Sequence, residues 1–187
     1  SVVVIDRKDL DKCKNMEFFH ERGFLMKFDI AYEEKDVEFC QCKILETDYG
    51  PTMSRKPTRI MGRTAYRTQK VGKRNIRAFI NTLGKCERAA SWGVPIASSL
   101  ATKMIECANT AKTIPMRPWR AEQFALMRKW WRVGPPEISL STRCNFEQLW
   151  DISVEEQLAI EKDMRVTLLT KPTIAQQSEY DLLINSC

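Results

Sequence analysis

The sequence predicts an α+β fold: a strand, a helix and a β-hairpin in residues 1–50, followed by a basic linker and a mainly helical region over 51–187. Two observations predict it. Residues 1–5, 24–32 and 37–45 form short runs rich in β-branched and aromatic side chains, as strands do. From residue 73 onward, apolar side chains recur every three or four positions in stretches punctuated by prolines.

Taken in order, residues 1–5 read as a buried strand because Val2, Val3, Val4 and Ile5 are continuous and apolar. Asp6 is placed to cap a helix whose Leu10, Cys13, Met16 and Phe19 share one face, and Gly23 stands where a C-terminal cap belongs. The runs 24–32 and 37–45 read as a hairpin around Glu33-Glu34-Lys35-Asp36. That is too little strand to close a sheet, so this part is expected to complete a sheet begun upstream, in a longer protein from which the chain is cut. Helices are expected over 73–91, 96–111, 119–132, 154–166 and 174–184. Ser153 with Glu156, and Thr173 with Gln176, have capping-box spacing at two of the starts.

Composition narrows the function classes. Apolar residues at 43% and charged residues at 29% describe a globular chain rather than a disordered one. The seven cysteines, an odd and scattered set, suit free thiols in a reducing compartment and predict a cytosolic chain. The longest uncharged stretch, 89–102, is 14 residues and contains Gly93 and Pro95, whereas a spanning helix needs about 20. No transmembrane segment is therefore expected here.

The net charge of +6 is divided unevenly. Residues 51–90 hold 11 Lys and Arg, namely Arg55, Lys56, Arg59, Arg63, Arg67, Lys70, Lys73, Arg74, Arg77, Lys85 and Arg88, against one acid, Glu87. In helix 73–91, Ile76, Phe79, Ile80, Leu83 and Ala90 fall on one face, with Arg74, Arg77, Lys85 and Arg88 on the other. An ordinary solvated face interleaves both signs. A surplus of one sign repels itself until an anion arrives, and a phosphate backbone supplies one. These 11 cations are the candidate nucleic-acid-binding residues, and so the RNA-binding ones if the partner is RNA.

Arg117, Arg120, Arg128, Lys129 and Arg132 are interleaved with Trp119, Trp130 and Trp131. Trp130 suits stacking on unpaired bases, while Trp131 shares a core-like face with Phe124 and Met127. Cys40 and Cys42 are a lone C-x-C, better read as two buried cysteines on one strand face than as a zinc site, and no metal site is expected. His20 reads as a surface residue. Hydrolase, Walker and dinucleotide motifs are absent, so the chain by itself shows no complete active site.

The run GFLMKFDIAYEEKDVEFCQCKIL, residues 23–45, resembles the end of the palm domain in RNA-directed RNA polymerases of positive-strand RNA viruses, the tombusvirus-like and nodavirus-like groups in particular. Gly23 to Lys27 resembles motif D and Glu38 to Cys42 the motif E hairpin. Ser1 to Asp6 resembles the residues immediately after the Gly-Asp-Asp of motif C, and Met53 to Pro57 the entry to the thumb. The resemblance implies that Lys27 is the general acid for the departing pyrophosphate, with Lys35 as the alternative. It implies that Phe39, Cys40, Gln41 and Cys42 position the 3′ end of the growing strand. It further implies template and product RNA, nucleoside triphosphates and the remainder of the polymerase chain as partners. The Mg²⁺ or Mn²⁺ ions would be held by aspartates outside this chain, so the fragment alone is expected to be inactive. The expected setting is the host cytoplasm, in membrane-associated replication complexes.

Two other readings compete. A non-enzymatic RNA-binding replication or packaging accessory protein explains the basic segment but not the motif D and E segments. A helical domain that meets protein partners would use the acidic end, where residues 137–181 hold nine acids against four bases.

Overall fold

The computed structural model describes residues 4–13, 16–25, 29–64, 71–114 and 134–166. At the centre of the body lies an antiparallel hairpin, β1 (Cys42–Thr47) and β2 (Gly50–Arg55), in register from Cys42 opposite Arg55 to Thr47 opposite Gly50. Side chains alternate across it: Leu45 and Ser54 are buried, while the cross-strand pair Ile44 and Met53 faces out.

The hairpin is not the one the sequence predicts. The described parts of 24–32 contain no strand, and of 37–45 only Cys42 to Leu45 lie in one. The partner of β1 is instead 50–55, most of which the shift to basic composition after Gly50 assigns to a linker. Ser54 is buried without penalty because Trp150 Nε1 donates to its hydroxyl at 3.0 Å. Pro51 sits near the end of a strand with one neighbour, where a missing N–H is tolerated. Of the strand expected over 1–5, the described residues Val4 and Ile5 form none, since no described strand offers them a ladder.

Around the first cap the expectation is closer. Asp6 Oδ1 accepts from the Lys8 N–H at 3.1 Å and opens a single 3-10 turn, Arg7–Asp9. The helical pieces α1 (Leu10–Cys13) and α2 (Met16–His20) follow. Gly23, at φ +78°, ends α2 with the Gly23 N–H bonded to His20 O and the Phe24 N–H to Phe19 O, the paired bonds of a Schellman motif.

Among the described residues five further helices accompany the hairpin: α3 (Pro57–Arg63), α4 (Ile76–Ala90), α5 (Ala97–Ala108), α6 (Leu140–Trp150) and α7 (Val154–Asp163). Three of them, α4, α5 and α7, fall within the helices expected from periodicity. The α7 start carries the complete Ser153–Glu156 capping box. Helices α3 and α6 are not anticipated, and the helices expected over 119–132 and 174–184 lie outside the described residues. The core joins Leu45 of β1, Ile60 of α3, Ile80 of α4, Met104 of α5 and Phe146 of α6 around Val94 and Ile96. At Gly84 the backbone of α4 meets α5 so closely that a Cβ would lie 2.9 Å from Ile105 Cγ1 and 3.0 Å from Ala101 O.

That approach rotates α4 from the expected face. Its buried residues are Ile80, Asn81, Thr82, Gly84, Glu87 and Arg88, and Ala90 is exposed. Before α5, Ile96 adopts φ +64°, ψ −51°, and the Ala97 N–H reaches Pro95 O at 2.6 Å, a tight γ-turn that a β-branched residue adopts only under constraint. The constraint is Glu161, whose carboxylate accepts from the Ile96 N–H at 2.8 Å and pairs with Arg143 at 2.9 Å. No described helix is long and apolar enough to cross a membrane.

Candidate nucleic-acid interface

Phe39 and Cys42 exchange two backbone hydrogen bonds of 2.9 Å, closing a two-residue turn with Cys40 at φ +53° and Gln41 at φ +61°. Positive φ at both central positions is the mirror-type turn usually built from Asn-Gly. Here neither residue is glycine, and left-handed backbone costs roughly 1–2 kcal/mol per such residue. The conformation is held from outside: the Lys56 N–H donates to Gln41 O at 3.0 Å, tying the turn to the residue before α3. The four residues expected to position a 3′ end are thus gathered in one turn. Phe39, Cys40 and Gln41 are exposed and Cys42 is half-buried. Burial pushes the Cys42 thiol up, against the pull of nearby Arg55. The two cysteines are not both buried on a strand face, as spacing suggests, because the chain reverses between them.

Beside the turn, Lys56, Arg59 and Arg63 are exposed, and Arg59 and Arg63 share one face of α3. Arg74 and Arg77 are exposed at the beginning of α4. Among the described residues none of these five has an ion-pair partner, so their charge is available to an incoming anion.

Two members of the expected stripe are elsewhere. Arg55 points to α4, where its Nη2 pairs with the buried Glu87 carboxylate. Burial lowers its basicity, with a smaller push the same way from Arg59. Arg88 is buried on the inward side of α4, and burial lowers its basicity too. Helical spacing assigns Arg88 to a solvated face, and charge alone groups Arg55 with the cationic surface; the close α4–α5 contact takes Arg88 inside, and the β2 register turns the half-buried Arg55 toward Glu87. Lys85 is half-buried. Arg67, Lys70 and Lys27 lie outside the described residues, as do the side chain of Lys73 and the Arg–Trp cluster of 117–132. Lys35 is exposed in the turn Glu34–Asp36 and bonded to Glu33 at 2.8 Å, which raises its basicity and lowers that of Glu33.

The hairpin is fastened to α6 at several points. Lys43 Nζ donates to Leu149 O at 3.2 Å and lies over the Trp150 ring, and Asn145 donates to Glu46 O at 3.2 Å. Asp48 accepts from Ser139 Oγ at 2.6 Å and from its N–H at 3.0 Å. These bonds hold the Asp48 carboxyl below its ordinary value. No three His, Cys, Asp or Glu among the described residues converge as metal ligands, so no chemical step is assigned to a metal held there.

A family model described as viral RNA dependent RNA polymerase matches residues 1–171. The chain belongs to that family. The RNA-directed RNA polymerase of Oat chlorotic stunt virus (isolate United Kingdom) is 26% identical over 198 residues, a match covering 94% of this chain and 25% of that protein. The chain thus spans about a quarter of the length of the curated relative it matches. No solved structure matches it.

Proposed function

We propose that this chain is the C-terminal portion of the palm together with the thumb of a viral RNA-directed RNA polymerase, and that it holds the growing RNA strand during template-directed nucleotidyl transfer. The observation that carries the reading is the strained Cys40–Gln41 turn, tied to Lys56 and flanked by the free cations Arg59 and Arg63. The turn offers a side-chain amide, Gln41, able to bond the sugar or phosphate of a 3′-terminal nucleotide. The α3 and α4 cations then neutralise the phosphates behind it. Lys27 is the proposed general acid for the pyrophosphate leaving group, with Lys35 as the alternative. Divalent metal bound elsewhere in the intact enzyme would supply the charge neutralisation for phosphoryl attack. The α3 cations, the turn and the lysine supply retention, alignment and a proton.

The test uses the full-length polymerase on a primed RNA template. Lys27→Ala is expected to lower turnover by roughly 100-fold, at the low end of general-acid effects, with RNA affinity unchanged. The triple variant Arg59→Ala, Arg63→Ala, Arg77→Ala is expected to weaken RNA binding. It should also flatten the logarithmic salt dependence by about 0.7 for each phosphate no longer neutralised on single strands. Unchanged turnover moves the acid to Lys35 or out of this segment. An unchanged salt slope removes the RNA-holding role, and RNA binding without any polymerisation by the intact protein returns the accessory-factor reading.

A further inference from the structure

Glu87 is the one acid among the 11 cations of residues 51–90, and its side chain is only 7% exposed. A solvated counter-charge would sit among the exposed arginines; this one is inside, bonded to Arg55 Nη2 and to Ser91 Oγ at 2.8 Å. Ser91 in turn offers its carbonyl to Ser98 Oγ at 2.6 Å, so the cluster is anchored at the start of α5. The Arg55 side chain keeps 37% of its surface exposed, so the pair is buried at its acidic end and partly solvated at the other. Such pairs contribute little net stability, because desolvation offsets most of the Coulomb attraction, and apolar replacements of both partners are often as stable. What a buried pair does supply is one geometry.

The two ends of that geometry are the turn and the cations. Arg55 stands opposite Cys42 in the hairpin register, and the next residue, Lys56, gives the N–H that holds Gln41 O. Glu87 lies ten residues beyond Arg77 on the same helix, about 15 Å along its axis. We infer that the Arg55–Glu87 pair is a positioning device of the polymerase, setting the 3′-end turn in fixed relation to the phosphate-facing beginning of α4. This rests on the proposed role of the turn and cations. Neither residue touches RNA; both act by keeping the end of β2, and with it the Lys56–Gln41 bond, in place on α4.

The experiment measures product release and single-nucleotide turnover in the full-length polymerase carrying Glu87→Gln, Arg55→Met, or the double change Arg55→Met, Glu87→Met. Thermal unfolding of each is followed in parallel. Glu87→Gln is expected to speed RNA release about tenfold while leaving turnover of bound complexes within about twofold. The double variant is expected to regain wild-type stability, as apolar substitutes for buried pairs do, and yet to keep the fast release. A double variant with wild-type stability and wild-type release would overturn the inference. So would variants whose release, turnover and unfolding temperature all change in step, since a purely structural pair behaves that way. The Arg59, Arg63 and Arg77 alanine variant serves as the control: if it leaves release unchanged, the failure lies in the role given to the turn and cations, and the inference falls with it.

Discussion

Residues 4–36 and the hairpin–helix body use similar apolar side chains to opposite effect. In the first region no described residue is buried; Val4 is 94% exposed, Leu25 87% and Phe24 62%. The backbone hydrogen bonds among its described residues span no more than five positions. In the body, Leu45, Ile96 and Met104 are fully enclosed, and side-chain bonds such as Lys43 to Leu149 and Asp48 to Ser139 span about half the chain. The difference lies in partners. A side chain becomes core when a second element closes over it, and local helical turns provide none. The first region therefore carries local structure over which no described element closes.

The sharpest way to break this comparison is to truncate one phenylalanine in each region. Phe146→Ala is expected to cost about 3–5 kcal/mol, the transfer energy plus an uncollapsed cavity. Phe24→Ala is expected to stay within about 0.5 kcal/mol, as exposed positions do. Urea unfolding of the 187-residue chain measures both, and equal costs would show that residues 4–36 pack after all. Next is Gly84→Ala in α4. Helix propensity favours alanine by about 1 kcal/mol, but overpacking against Ile105 and the Ala101 carbonyl costs about 1–3 kcal/mol. The expected net result is a lower urea midpoint, and a raised midpoint would mean that α5 yields easily.

Smaller again is Ser139→Ala, which removes the N-cap of α6 and should cost about 1 kcal/mol. It also carries a pH signature. Because bonds from Ser139 depress the Asp48 carboxyl in the folded state, their stabilisation is present above the ordinary aspartate value and is lost as pH falls through the depressed one. The variant should therefore lose less stability than the parent on acidification, read from urea midpoints between about pH 6 and pH 2. Smallest of all is Glu33→Gln in the exposed turn: its bond to Lys35 is solvated at both ends, and the midpoint should not move measurably.

Much of the body is legible in the sequence. The periodicity of α4, α5 and α7 survives folding, and so does the Ser153–Glu156 box, because helices are built from contacts three and four residues apart. Helix α6 is not legible, because only Thr142, Phe146 and Leu149 are buried in it, too thin a stripe among polar neighbours. Helix α3 is masked by its arginines, which look like a linker. The turn at Cys40–Gln41 is legible as a motif and illegible as a conformation, since neither residue favours positive φ without the Lys56 bond. Glu87 is visible as a lone acid among 11 cations, a signal that could have marked a buried partner.

By itself, then, the sequence determined the α+β character, several helix positions, the surplus of positive charge and the family resemblance in residues 23–45. All of these reside in local spacing or composition. Only the tertiary structure decided that 50–55 pairs with 42–47, that α4 turns Glu87 and Arg88 inward, and that Arg55 leaves the cationic surface while Arg59, Arg63, Arg74 and Arg77 remain on it. The physical reason is separation along the chain. Arg55 and Glu87 are 32 residues apart, and Ser54 and Trp150 are 96 apart. Whether a charge is paired or a serine hidden depends on which distant element arrives beside it, and no local spacing records that.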